Sequence, residues 1–182
     1  GEALEAGLGP VEAFGTILAE AGKRHRTIFK DLNATYGDDY DIAESYAIFL
    51  ANLPFALRLL AEKGWLLAEK GSSAAPKANA QFREIVLTCL KEASALHDRW
   101  PNDAIIAARL AMILRDGCGF YITQPLNLAA NDRTNANILV KITKRSGYIS
   151  ARFKQDDFAV TTSQKAMEYA FQLERKLLRA NG

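Results

Sequence analysis

Apolar residues recur every three or four positions over most of this chain, and every two positions over one short stretch. From Pro10 to about Asn33, Phe14, Leu18, Ala21, His25, Ile28 and Leu32 repeat at helical spacing, with Ile17 and Phe29 widening the stripe. Pro10 suits a first helical position, where the missing N–H had no partner to lose. Gly37 and the acids Asp38, Asp39 and Asp41 predict a second helix start. That helix meets Pro54, which predicts a kink or break near Leu53. Beyond it the phrase LLAEKG occurs twice in residues 59–71, seven residues apart, so Leu59 shares a face with Leu66 and Leu60 with Leu67. Two copies are too few for a repeat architecture. Gly71 ends the helix, and GSSAAPKAN (71–79) reads as a flexible connector. A third helix, about 77–99, puts Phe82, Val86, Cys89, Ala93, Leu96 and Trp100 on one side, and Pro101 closes it. Asn102 or Asp103 caps a fourth, lined by Ile106, Leu110, Ile113 and Leu114, with Asp116-Gly117 as its stop.

The pattern then changes. GFYITQP (119–125) reads as a short strand, followed by a loop rich in Asn, Asp and Thr. Ile138, Val140 and Ile142 alternate with Leu139, Lys141 and Thr143, and Ile149, Ala151 and Phe153 alternate with Ser150, Arg152 and Lys154. Period two predicts two strands joined at Lys144-Arg145-Ser146-Gly147. In that hairpin Ile142 pairs with Ile149, Val140 with Ala151 and Ile138 with Phe153, and Gly147 takes a left-handed conformation. Phe158–Thr161 offers a third strand. A last helix starts at a capping box, Thr161-x-x-Gln164, and buries Ala166, Tyr169, Ala170, Leu173 and Leu177. The expected fold is therefore mainly α with an α+β element. It has four to five bundled helices, a small antiparallel hairpin or three-stranded sheet, and a final covering helix. The expected organisation is a helical bundle over 1–117 and a basic hairpin plus helix over 118–182, packed as one domain.

Composition adds one asymmetry. The formal net charge is only +2, yet residues 133–182 hold ten Lys/Arg against four Asp/Glu, while residues 1–132 hold thirteen against seventeen. The stretch ILVKITKRSGYISARFK (138–154) has five basic side chains and no acidic one. Such a split hints at a polyanionic partner, or at attraction between the two parts of the chain. The longest apolar run, YAIFLANLPFALRLL (46–60), is interrupted by Asn52, Pro54 and Arg58 and predicts a core helix, with no membrane partner. The acidic N-terminus does not read as a signal peptide. An opening Gly1 in place of Met suggests either a piece excised from a longer protein or the residue of a tag. Two distant cysteines without CxxC suit a reducing, cytoplasmic compartment.

Candidate chemistry centres on the basic segment. On a hairpin its outer face carries Lys141, Tyr148, Arg152 and Lys154, with Lys144 and Arg145 at the tip; Lys165 follows on the last helix. Such a ribbon suits phosphate contact, and Tyr148 can stack on a base. Exposed strand lysines also serve simply to prevent edge pairing. A second nucleic-acid reading makes residues 148–178 a helix–turn–helix, with ISARFKQDD first, FAVT as the turn and SQKAMEYAFQLERK as the recognition helix. Catalytic signals are weak. GxSxG, Walker A, GxGxxG and HExxH are absent from the sequence. His25 lies on an apolar stripe and reads as a buried or half-buried structural histidine; His97 sits at a helix end. Four scattered Cys and His residues do not make a zinc site. Asp38, Asp39, Asp41 and Glu44 can hold Mg²⁺, but helix capping explains them more simply. No catalytic residue, metal or cofactor is assigned. The leading expectation is a non-catalytic accessory or regulatory protein contacting nucleic acid. The runner-up is an adaptor or inhibitor whose basic patch meets an acidic protein, and an enzyme ranks third. For the adaptor reading Tyr36, Tyr40, Trp65 and Trp100 near helix ends are candidate anchors, or equally rim packing; homo-oligomerisation is left open.

Overall fold

A computed structural model describes the backbone of residues 10–68, 75–123 and 130–180, with side chains from residue 20 onward except 57, 60–82, 124–131 and the last two. Among these residues there is no strand. The elements are α1 (Pro10–Thr35), α2 (Tyr40–Ala68), α3 (Ala75–Arg99), α4 (Ala104–Thr123), α5 (Ala130–Arg145), the short α6 (Tyr148–Arg152) and α7 (Asp157–Arg179). Two compact units divide the chain, residues 1–91 and 92–182, so α3 begins in one and ends in the other. No helix among the described residues is long and apolar enough to cross a membrane. The paired faces expected of Leu59/Leu66 and Leu60/Leu67, the side chains of Phe14, Ile17, Leu18, Trp65 and Phe82, and residues 71–74 of the connector lie outside the described residues.

In the first unit α1 and α2 form an antiparallel hairpin. Gly22 meets Leu53, and the Phe29 ring stacks on Tyr46 at 5.6 Å and on Phe49 at 5.3 Å. A β-carbon on Gly22 would stand 2.7 Å from Leu53 Cδ1, so this glycine sets how closely the helices approach. The face of α1 packed on α2 thus bears Gly22 and Phe29, one edge of the expected stripe, while His25, Ile28 and Leu32 are exposed. The turn closes with Tyr36 N–H donating to Leu32 O at 2.7 Å, and Asp39 Oδ1 accepts from Ile42 N–H at 3.2 Å as a cap for α2. The predicted break at Pro54 does not occur, because α2 is one helix through it. Proline costs a helix interior about 3 kcal/mol. Leu50 and Leu53 are buried beside it, and each such side chain contributes about 1.5–3 kcal/mol on leaving water, enough to offset that cost.

The second unit is built around α4. Thirteen of its residues, from Ile106 to Tyr121, are buried, on nearly every side of the helix. Asp103 caps it, accepting from Ile106 N–H at 2.8 Å. The helix does not stop at Asp116-Gly117 and no strand follows: Gly117, Cys118, Gly119, Phe120 and Tyr121 are all helical and buried. Glycine lowers helix propensity by about 1 kcal/mol, a penalty that burial of Phe120 and Tyr121 outweighs. Asp116 is fully buried, and both its oxygens accept from the Arg115 guanidinium at 3.1 Å, as a buried carboxylate requires. α7 packs parallel to α4: Arg109 lies over the Phe158 ring at 5.1 Å, and Lys176 Nζ donates to Ile122 O at 2.6 Å and Tyr121 O at 3.2 Å. Lys176 thereby satisfies two carbonyls that a helix end leaves open. α7 buries Ala159, Thr162, Ser163, Ala166, Ala170, Leu173 and Leu177, close to the expected stripe. It starts four residues before the expected box, with Asp156 Oδ1 accepting from Ala159 N–H at 2.7 Å.

The hairpin expectation is overturned, and with it the third strand. Residues 130–145 are the helix α5, which runs antiparallel to α7 and buries Asp132, Ala136, Leu139, Val140 and Thr143. These positions repeat at three and four. The run ILVKI satisfies both periods, and packing against α7 selects the helical one. Ile138 and Ala151, inward in the hairpin, are exposed. Phe158–Thr161 is the first turn of α7. Gly147 has φ −57° and ψ −18°, right-handed; its small size is what counts, since a β-carbon would stand 3.2 Å from both Lys144 O and Met167 Sδ.

Leu173 is fully buried in α7, whereas Leu178 is 67% exposed. We expect Leu173→Ala to lower the unfolding free energy of the second unit by about 2–5 kcal/mol, and Leu178→Ala by less than about 0.5 kcal/mol, both read from urea titrations.

Candidate nucleic-acid interface

The basic segment lies on α5, α6 and the turn that follows. Lys141 and Arg145, four apart, share the solvent face of α5 with Ile138. Both are exposed, and neither has an ion-pair partner among the described residues. Lys144 points to the flank facing α7, where its Nζ donates to both Glu174 oxygens at 2.6 Å and stands 5.1 Å from the Phe171 ring centre. Ser146 and Gly147 turn the chain into α6, with Ser146 N–H donating to Ile142 O at 2.9 Å and Ile149 N–H to Ser146 O at 2.9 Å.

On α6, Tyr148 and Arg152 are again four apart, and both reach the α3–α4 junction. The Tyr148 hydroxyl and His97 Nε2 share a hydrogen bond of 3.1 Å, with the rings 6.3 Å apart and nearly parallel. Arg152 donates to Asn102 Oδ1. Lys154 is exposed, and among the described residues it has no ion pair. Arg152, Phe153, Lys154, Gln155 and Asp156 line, with Ala104, a shallow open depression of about 520 Å³. The N-termini of α4 and α7 beside it are already occupied by Asp103 and Asp156. Lys165 does not join the others. It is held by Glu168 at 2.7 Å on its own helix, which raises its pKa, and it lies over the Tyr169 ring at 5.0 Å. The spacing of α7 puts Lys165 and Phe171 on opposite flanks of the buried stripe.

So the structure gathers Lys141, Lys144 and Arg145 at the end of α5, places Arg152 at the end of α6 with Lys154 just after it, and sets Lys165 apart. Within the second unit no carboxylate from residues 92–132 pairs with any of these six among the described residues; those paired have Glu174 and Glu168. In the helix–turn–helix version the turn falls at 153–156 instead of FAVT, and the first helix is only five residues long.

Two buried groups escaped the sequence. His97 is 5% exposed, and its Nδ1 meets no hydrogen-bonding partner among the described residues. Burial lowers its pKa from 6.5; Asp98 opposes this, Arg152 adds to it and Asp103 opposes it. A proton on Nδ1 would be a buried donor without an acceptor. Its partner Tyr148 lies 51 residues on, so no local pattern joins them. Cys118 lies 3.6 Å from the Thr143 hydroxyl, and burial pushes its thiol up to about 11, with Thr143 opposing slightly. Such a thiol is unreactive at neutral pH. His25, expected buried or half-buried, is exposed; its Nδ1 is 2.8 Å from Ala21 O. No group of three or more Asp, Glu, His or Cys among the described residues is arranged to hold a metal ion.

Compared with protein-family models, with curated proteins and with solved structures, the chain matches none.

Because the folded pKa of His97 lies below 6.5, the unfolded chain takes up its proton first as pH falls. Stability contributed at neutral pH is therefore lost from about 6.5 downward to the folded value. We expect the urea midpoint to drop between about pH 7.5 and about pH 5.5, and His97→Gln to flatten that dependence. Tyr148→Phe removes one hydrogen bond and should cost about 0.5–1.5 kcal/mol at neutral pH.

Proposed function

We propose that this protein is an accessory or regulatory factor that contacts nucleic acid through the end of α5, α6 and the turn before α7. One observation carries this reading: in a segment with no acidic side chain between Arg133 and Gln155, Lys141, Arg145 and Lys154 stay exposed and unneutralised. Cations that the fold leaves unpaired are those able to replace counterions on a phosphate backbone. Arg152, beside Lys154, adds a guanidinium at the rim of the depression. Tyr148 serves here mainly to hold α6 to His97, with half of its surface left for contact. The expected mode is sequence-blind, because helix-borne cations at a surface meet phosphates before base edges. Two buried free thiols, Cys89 and Cys118, suit the reducing cytoplasm where such a factor would work.

A second reading has its own observation. Phe171, 47% exposed, lies beneath Lys144, and Leu178 is exposed about two turns further along α7. An apolar strip edged by cations suits an acidic protein segment.

Labelled duplex and single strand, titrated at two salt concentrations, separate the two. Three phosphate contacts give a slope of log affinity against log salt of about −2.7 on duplex, or about 40-fold weaker binding from about 50 to about 200 mM salt. Lys141→Glu, Arg145→Glu and Lys154→Glu together should abolish both affinity and slope. Wild-type binding that equals the triple variant's, at either salt, rejects nucleic-acid contact by this patch. Nuclease-resistant capture of one stoichiometric protein, lost in Phe171→Ser, supports the second reading.

A further inference from the structure

α1 carries, beside the face packed on α2, an apolar flank that its own hairpin covers only at the border, where His25 meets Phe49. Ala21, His25, Ile28 and Leu32 follow one another at spacings of four, three and four, the seam spacing of a helix pair. In sequence the same spacing runs back through Leu18 and Phe14. Ile28 is 57% exposed and Leu32 37%, while the adjoining flank is fixed on α2 through Gly22 and Phe29, and His25 at the border, itself exposed, has its ring 6.2 Å from that of Phe49. The open seam is therefore held ready on a rigid hairpin. Exposed leucine or isoleucine singly needs no explanation, but a seam in register does.

Charge identifies what covers it. Arg24 and Asp31 flank the seam on the same edge, and both are exposed with no ion pair among the described residues. Seven residues separate them, about 10.5 Å along the axis, too far to pair with each other. In an antiparallel helix pair, equal edges of the two helices meet. Arg24 of one copy then faces Asp31 of the other, and the two-fold axis repeats the contact. The same alignment sets Leu32 opposite the small Ala21 and brings Ile28 beside His25 of the other copy, as a knob needs a hole. Glu20 falls opposite Thr35, so no like charges meet across that edge. A parallel pair offers neither Arg24 nor Asp31 an opposite charge.

We propose that the protein forms an isologous dimer through α1, with a second copy docked antiparallel on Ala21, His25, Ile28 and Leu32, and with two reciprocal Arg24–Asp31 pairs. Such an interface is small and exchanges with concentration. It is independent of the basic segment on the other unit and of the nucleic-acid reading.

Sedimentation velocity of the full chain over a concentration series tests it, with circular dichroism verifying that each variant stays folded. The wild type should pass from monomer to dimer as concentration rises. Arg24→Glu and Asp31→Arg each place like charges across both contacts, and each alone should dissociate at least about tenfold more readily, the scale of one lost charge pair. An equimolar mixture of these two variants restores both pairs and should form heterodimers as tight as the wild type. Arg24→Glu/Asp31→Arg in one chain should also recover self-association. Ile28→Asp should remove it. A wild type that remains monomeric at every concentration overturns the proposal, and assigns the seam to another protein or to another part of the chain. A dimer indifferent to Ile28→Asp, or two variants that fail to associate on mixing, overturns it equally.

Discussion

The contact between α4 and α7 fixes the second unit. α4 is apolar on nearly every face, so it has no stable place except between other helices. α7 meets it with Ala159, Ala166 and Ala170, whose short side chains let the two backbones come close, and with Leu173 and Leu177 as filling. The union is completed at its end by Lys176, whose ammonium replaces water on the last carbonyls of α4. Burial lowers the pKa of that lysine, while the carbonyl oxygens favour its charged form. Everything between these helices has to conform, and residues 130–152 are what lies between them in sequence.

That constraint decides which charges meet solvent. On a hairpin Lys141, Arg152 and Lys154 would share one face with Tyr148. On helices the same residues separate: Lys144 turns inward to Glu174 and Phe171, Tyr148 and Arg152 reach His97 and Asn102, and Lys141, Arg145 and Lys154 stay outside. The cationic surface is thus smaller than the count of basic residues suggests. Its exposed members Lys141, Arg145 and Lys154 have no carboxylate partner among the described residues of their own unit, while Lys144 is taken by Glu174.

The helices were legible wherever the apolar spacing was long and bounded. Val86, Cys89, Ala93 and Leu96 of α3, Ile106, Leu110, Ile113 and Leu114 of α4, and Ala166, Ala170, Leu173 and Leu177 of α7 are buried as their spacing implies. Asp103 and Asp39 cap as their positions imply. Three features were not legible, each for a physical reason. ILVKI is too short for its period to be unique, and the choice came from α7, about thirty residues away. Gly117, Gly119 and Pro54 are breakers by local preference, but burial of their neighbours is worth more. The apolar stripe of α1 is broad, and nothing local says which edge α2 takes; it is the edge where Gly22 is small enough to admit Leu53. The basic residues themselves were evident, while their partners, Glu174, Asn102 and His97, are long-range facts.

The helical state of residues 138–152 underlies the whole arrangement of charge, and backbone chemical shifts report it residue by residue. Carbon-13 Cα shifts across Ile138–Arg145 and Tyr148–Arg152 should all lie downfield of random-coil values, with sequential amide contacts and slow amide exchange at Leu139, Val140 and Thr143. Upfield Cα shifts over both stretches, with cross-strand contacts between Ile142 and Ile149, would contradict it and return these cations to the two faces of a ribbon.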